Sequence, residues 1–482
     1  MTRPSRLILA CFGLLLPASA ALAAQPAHGS QAVHKAAPHK ATVAKVRDLD
    51  EIRRSKTLRV LVNQSRNSSG EVDGKPIGVE NLRLRAFEAY LNGHAGPAQR
   101  IHLKIIPKPK EQLLAALQRG EGDIAAPGER VEQGATAGLT ASAPTVEHVS
   151  MILVGAQGTR SFSRVEQLAG HTVVLTAGSA AGEAIQALNE RLLHKRLRPV
   201  QVEWVDPSLA VEDVLEMVQA GIYPLTAVEQ PIAERWAKVM PRLRLQRKVA
   251  FDSPGQMAWY TRANAPLLAA SIDRFVPAYK APADQDTAFV KAYARLYKVH
   301  YPLATADRRR LEQLRPLLQR TARSQGMDWL NLAALAFKES ALNPSARGAG
   351  GATGLLQITP AAAQRVGVGD IQQVDNNVQA GAKYLALLQR KFFSSQKLNE
   401  RQRMAFVLAA YNLGPERVQA MRAEAKRRGL NPDQWFFQVE RVALEQVGMA
   451  PVSYVNSVNK YYLAFDRERE SLEPQGRKLA ER

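Results

Sequence analysis

Glu339 is the one acid in the segment that carries the chain's clearest chemical pattern, WLNLAALAFKESALNPSARGAGGATGLLQITP, residues 329–360. The first half has helical periodicity. Leu332, Leu335 and Ala336 precede the acid by seven, four and three residues and so share its face. That stripe turns Glu339 inward and leaves Lys338 on another face. A carboxylate without a partner in apolar surroundings escapes the cost by raising its pKa. A neutral, partly dry glutamic acid is suited to general acid catalysis. On the residues alone, an amphipathic helix with an edge glutamate, followed by a turn, is the plainer account.

The elements that would position this acid follow from turn chemistry. The residue before proline avoids the helical region, so Asn343-Pro344 predicts the helix end. Gly348, Gly350, Gly351 and Gly354 then form a loop that a ligand can approach closely, followed by Gln357 between apolar neighbours. Residues 401–411 read as a helix delivering Tyr411-Asn412, broken by Gly414-Pro415. Residues 375–392 read as another, with Asp375-Asn376-Asn377 as its cap. Leu311, Leu314, Leu317 and Leu318 give a docking helix within 302–323, its Arg308–Arg310 run facing solvent.

Glu339-Ser340, Asn343-Pro344, Gly354-Leu355-Leu356-Gln357 and Ala410-Tyr411-Asn412-Leu413-Gly414-Pro415 together resemble the signature of soluble-lytic-transglycosylase-type catalytic domains. The resemblance covers the last third, residues 324–482. It implies a mainly α, goose-type-lysozyme-like fold that cleaves peptidoglycan without a cofactor or metal. By position, Glu339 is the catalytic residue, and Ser340, Gly348, Gln357, Thr359, Tyr411 and Asn412 form the substrate-facing set. Tyr411 is expected to hydrogen-bond near Glu339. Three positions depart from the pattern: Gly348 stands where a serine is common, Leu356 replaces a methionine, and Pro451-Val452 replaces a Thr-Arg pair before the tyrosine of the closing stretch 453–462. The resemblance implies a lytic transglycosylase that forms 1,6-anhydro products. A lysozyme-type hydrolase using Asp370 or Asp375 to activate water, and a catalytically inactive wall-binding sensor, remain alternatives.

Ahead of this segment, short apolar runs alternate with helical patterns. Strands are expected at 58–62, 101–106, 123–126, 171–175, 223–228 and 256–262, and helices at 79–92, 112–118, 211–219 and from about 231. Such alternation predicts a largely parallel sheet covered on both faces. The landmarks LRVLV, QRGEGDIAA, LAGHTVVLTAGSA, VQAGIYPLTAVEQ and AWYTRANAPLL resemble extracellular solute-binding proteins of the amino-acid-binding type. That likeness implies a two-lobed α/β domain over 51–301, with an inserted lobe at about 149–249. By position, Arg130 would clamp a ligand carboxylate, Ser179 would meet it with a hydroxyl, and Glu229 would take an amino group. An amino acid or a muropeptide is the ligand this implies. A pair of lobes that only scaffolds is the open alternative.

Residues 1–24 read as a secretory leader: Arg3 and Arg6, an apolar run at 7–16, and the small-residue site Ala21-Leu22-Ala23. Cys11, the single cysteine of the 482 residues, falls inside it, which suits an exported protein without disulfides. Retention of the leader as an anchor, and hence peripheral association with the outer membrane, stays open. Residues 25–50, rich in Ala, His, Lys and Pro, read as a tether in which His28, His34 and His39 are too irregular for a metal site. The net charge of +21 favours polyanions. The chain shows no nucleic-acid-binding motif, and a periplasmic protein meets anionic wall peptides and membrane surface instead. Residues 467–482 read as a fraying, mixed-charge tail.

Overall fold

The computed structural model describes residues 47–473 apart from Asp73. The leader, most of the tether and the last nine residues lie outside them, as do Cys11, His28, His34 and His39. Two five-stranded sheets form the first part. One runs in the order His102–Lys108, Thr57–Asn63, Ile124–Ala126, Tyr260–Arg262, Leu139–Ala141. The other runs Gln201–Trp204, Thr172–Leu175, Leu225–Glu229, Met151–Ala156, Leu243–Ala250. Val60, Leu61 and Val62 are buried on both sides of their strand, as are Val173, Val174 and Leu175, because helices cover both faces.

The sheets are mixed, not largely parallel. The first three strands of each are parallel, but Tyr260–Arg262 is antiparallel to both neighbours, and so is Met151–Ala156. Hydrophobic alternation reports the kind of element and carries no information on direction. The stretch read as one strand, 256–262, is two. Gly255–Met257 pairs antiparallel with Val146–Val149, and Tyr260–Arg262 joins the first sheet. Buried Trp259 turns the chain between them, its backbone N donating to Ser142 Oγ at 3.0 Å. Those two paired segments are the chain's crossings between sheets, so a two-stranded ribbon hinges a two-lobed α/β fold.

The remainder is helical, with principal helices Thr305–Ser324, Trp329–Ser340, Val374–Phe392, Glu400–Leu413, Pro415–Arg427 and Met449–Arg467. Leu311 and Leu318 bury the inner face of the first, while Arg309 and Arg310 are exposed. The expected frayed tail is ordered up to Glu473. Arg467 holds Glu203 through Nε at 3.1 Å and Nη2 at 2.9 Å, and Leu472 is buried. Alternating charge resembles a solvated tail in sequence, but here the charges have fixed partners.

The second lobe and the helical part share one apolar core. Val214, Met217, Val218, Ile222 and Tyr223 from the lobe join Leu332, Leu335, Val455 and Val458. A buried ion network borders that core. Lys460 Nζ lies 2.6 Å from Asp213 and 2.5 Å from Glu216, and Arg66 Nη2 lies 3.1 Å from Glu440. Glu212 accepts from Arg66 N at 2.6 Å and Ser65 Oγ at 2.9 Å. Burial, with Asp213 beside it, pushes the Glu212 carboxyl up to about 7. A carboxyl whose folded pKa is raised stabilises the fold below its unfolded pKa, and that contribution is lost as pH rises through the folded value. Urea melts should therefore show stability falling from about pH 4.5 to about pH 7. In Glu212→Gln that part of the slope should flatten.

Candidate active site

The acid helix starts at Asp328, whose side chain accepts from Leu330 N at 3.1 Å. It ends at Ser340, three residues before the proline-based expectation, because Ala341 and Leu342 both turn left-handed, at φ 50° and 61°. Left-handed backbone costs a non-glycine residue roughly 1–2 kcal/mol. Complete burial of the Leu342 side chain offsets that strain. Ser340 Oγ lies 3.0 Å from the carbonyls of Ala336 and Leu355, and accepts from Asn343 N at 3.1 Å. Its hydroxyl thus ties the end of the acid helix to the glycine loop.

Glu339 is half-buried at the end of this helix. Tyr454, on Met449–Arg467, donates to its Oε1 at 2.6 Å from 115 residues away. Burial raises the Glu339 pKa above the usual carboxylate range, and the Tyr454 hydrogen bond and the Lys338 charge only partly oppose it. The hydroxyl bonded to the acid is therefore that of Tyr454, not Tyr411. Tyr411 donates to the Leu356 carbonyl at 2.7 Å and stacks obliquely on Tyr384. Its own pKa is driven up first by burial and then by the charge of Glu339. Tyr411 thus sits within the field of the acid while holding the loop.

The glycine loop is pinned from beneath by Asn377. Its Oδ1 accepts from Leu356 N at 3.0 Å, and its Nδ2 donates to Thr353 O at 2.7 Å and Ile371 O at 3.0 Å. Asn377 is no cap: its helix starts at Val374 behind Gln373, and the residue is buried. Gly354 has φ +73°, and a Cβ there would meet Asn377 Nδ2 at 2.4 Å. Gln357 Nε2 donates to Gly354 O at 2.9 Å and Ala346 O at 3.2 Å. A Cβ on Gly348 would collide with Gln357 Oε1, so a larger residue there requires the Gln357 amide to move. Thr359 caps the helix Pro360–Arg365, its Oγ1 accepting from Ala362 N at 3.3 Å, and Asn412 is exposed. Among the described residues no hydrogen bond or ion pair joins Asp370 or Asp375 to Glu339. Asp375 lies on the surface, paired with Arg320 at 3.1 Å.

Removing the Tyr454 hydroxyl leaves a defined signature. The bond favours the charged form of Glu339, so Tyr454→Phe should raise its pKa. The limb of the rate profile that requires the protonated acid should then shift to higher pH. Turnover should drop roughly tenfold, the scale of one hydrogen bond to a charged group. A pH–kcat/KM profile checks both.

In the first domain the three expected ligand groups have internal partners. Arg130 is held by Asp252, with Nη1 at 2.9 Å and Nη2 at 2.6 Å, while its backbone N donates to Glu229 at 2.9 Å. Buried Glu229 faces Lys110 Nζ at 3.9 Å, and Lys110 is bonded to Glu129 at 2.7 Å. Ser179 Oγ accepts from Ala181 N at 3.3 Å. The chain's own ammonium and carboxylate thus face the groups expected to take those of a ligand. The inter-lobe cavity bordered by Asn63, Lys110 and Glu129 measures about 50 Å³, room for water rather than an amino acid. Tyr454, Asn377, Lys110 and Asp252 were not among the expected site residues. Tyr454 left a trace as part of the closing stretch, and Asn377 as an expected helix cap.

A lone sheltered glutamate thus sits over a pinned glycine loop, in a helical domain behind two α/β lobes. Residues 316–433 match the Transglycosylase SLT domain. Over most of its length the chain is similar to membrane-bound lytic murein transglycosylase F. The relative from Desulfosudis oleivorans is 27% identical across 81% of this chain and 83% of its own. That from Shewanella pealeana is 28% identical across 73% and 74%. Among solved structures, an ancestral arginine-binding protein bound to arginine aligns at 17% identity and a TM-score of 0.39, covering 49% of this chain and 97% of its own. A putative L-cystine ABC transporter from Listeria monocytogenes aligns at 13% identity and a TM-score of 0.40, covering 50% of this chain and 96% of its own.

Proposed function

We propose that the chain is a peptidoglycan lytic transglycosylase that cleaves the β-1,4 bond between N-acetylmuramic acid and N-acetylglucosamine. The observation that carries this is Glu339: sheltered, bonded to one tyrosine, and raised in pKa by burial, with Tyr454 and Lys338 and no other carboxylate acting on its charge among the described residues. Two-carboxylate glycosidases need a partner acid. With one, the nucleophile comes from the substrate. Glu339 protonates the leaving glycosidic oxygen as the bond to the anomeric carbon breaks. The muramoyl N-acetyl group spreads the positive charge. The muramoyl 6-hydroxyl then bonds to that carbon and returns its proton to Glu339. Atoms balance without water, and the product is a 1,6-anhydro sugar. Ser340, Gly348, Gln357, Thr359, Tyr411 and Asn412 are proposed to line the glycan path. Mass spectrometry of digested peptidoglycan tests it: anhydro products are one water lighter than hydrolysed ones, and hydrated products would replace this reading with a water-activating one.

Export through residues 1–24 and action in the periplasm at the outer membrane are part of the same proposal. Among the described residues no helix is long and apolar enough to cross a membrane. Cell fractionation with and without residues 1–24 decides attachment. The lobes are proposed to regulate or target the catalytic domain, with Arg130, Ser179 and Glu229 facing an amino acid or muropeptide once their internal partners release them. Asp252→Asn removes the carboxylate that holds Arg130. Calorimetry with free amino acids and muropeptides should then give at least roughly tenfold tighter binding than in the parent. No gain would place the carboxylate contact elsewhere.

A further inference from the structure

The two lobes meet the helical domain differently. The second shares its apolar core, whereas the first faces it across a cavity of about 330 Å³. That volume lies within the range of small-molecule sites, and domain seams are where such sites occur. Leu103 and Ile105 of strand His102–Lys108 form the first lobe's wall, and Leu430, Phe437 and Leu444 the opposite one. Phe437 holds φ +64°, rare for a bulky residue. That strained residue borders both this cavity and the inter-lobe one.

The charge of the lining is unbalanced, with five basic side chains against three acidic. Most of those cations are spoken for. Arg66 holds Glu440 at 3.1 Å, and Arg428 is bracketed by Glu424 and Glu445. Arg441 is not. Among the described residues its guanidinium makes no hydrogen bond, and its one ion pair is with Glu71, across the seam at 4.0 Å. Its side chain is only 22% exposed, and burial holds its pKa below the ordinary arginine range. A guanidinium sheltered this far with so little compensation is ready for an anion, and its planar fork matches a carboxylate in two hydrogen bonds. Lys104 also lines the cavity without an ion pair among the described residues, but it is exposed; Arg441 is the sheltered cation, and its single charge beside apolar walls suits a single negative charge on an apolar body.

We propose that this seam cavity is a second small-molecule site, taking a monoanionic carboxylate whose charged end rests on Arg441 and whose apolar body lies against Leu103, Ile105, Leu430 and Leu444. A ligand there touches the first lobe and the catalytic domain at once. The site is separate from the cleft of Arg130 and Glu229, and its existence does not depend on the glycan-cleaving reading.

The test titrates the full chain with N-acetyl-leucyl-leucine and with its neutral C-terminal amide. The acid should bind at least about tenfold more tightly than the amide, the scale of a hydrogen bond to a charged group. Arg441→Gln should lose at least about tenfold for the acid alone, Arg441→Lys should recover part of it, and Arg130→Gln should leave it unchanged. Should Arg441→Gln fail to fold, Leu444→Trp, which fills the cavity without touching the charge, decides: binding lost supports the site and binding kept overturns it. Equal affinity of acid and amide, an unaffected Arg441→Gln, loss in Arg130→Gln, or no heat with either probe would each overturn it.

Discussion

Glu339→Gln should lose about a hundred- to ten-thousandfold of turnover on peptidoglycan, the usual contribution of a positioned general acid. It should stay folded. The amide has the shape of the acid, and its Oε1 still accepts from the Tyr454 hydroxyl that now lies 2.6 Å from the carboxylate. Burial of the carboxylate is already unfavourable, as its raised pKa records, so the neutral amide should melt no lower than the parent. The amide cannot deliver a proton to the leaving oxygen or accept one from the 6-hydroxyl, so both halves of the reaction fail together. Release of anhydro-muropeptides, followed by mass spectrometry beside a thermal melt, measures the two quantities independently. Wild-type turnover in a folded variant would remove Glu339 from the chemistry.

Lys460→Met should cost about 3–5 kcal/mol, the range for breaking a buried ion pair from one side. Its ammonium lies within 2.6 Å of both Asp213 and Glu216, and all three side chains are almost fully buried. Deleting it leaves Asp213 with Arg66 at 3.5 Å and Glu216 without an ion pair among the described residues, in the dry boundary between the second lobe and the closing helix. Because the same helix carries Tyr454, activity should also fall. Urea denaturation gives the stability loss. A loss below about 1 kcal/mol would mean that water reaches the network and that the shared core alone holds the lobe. Restoring stability with Lys460→Met combined with Asp213→Asn and Glu216→Gln would assign the penalty to the stranded carboxylates.

Much of this architecture was legible from local pattern. The strand at Thr57–Asn63, the helix at Val211–Gln219 and the acid helix all follow from periodicity and caps within a few residues. So does the inward face of Glu339, set by neighbours three, four and seven residues away. What was not legible depends on long closure. Nothing local says that the hydroxyl reaching Glu339 belongs to position 454 and not 411, because helix packing across 115 residues decides it. Asn377 looks like a cap from its neighbours, yet its buried amide holds the glycine loop. Arg130 and Glu229 were found by position, but Asp252 and Lys110, which engage them, lie far off in sequence. Strand direction escaped for the same reason.

The core that runs unbroken from the second lobe into the helical domain limits how the protein can be taken apart. A fragment beginning near residue 305 would carry Leu332, Val455 and Val458 with their partners Val214, Met217 and Ile222 missing, so its newly bared oily flank would invite self-association. Grafting this catalytic module onto another carrier therefore requires the inserted lobe to travel with it, or those positions to be recoloured with polar side chains.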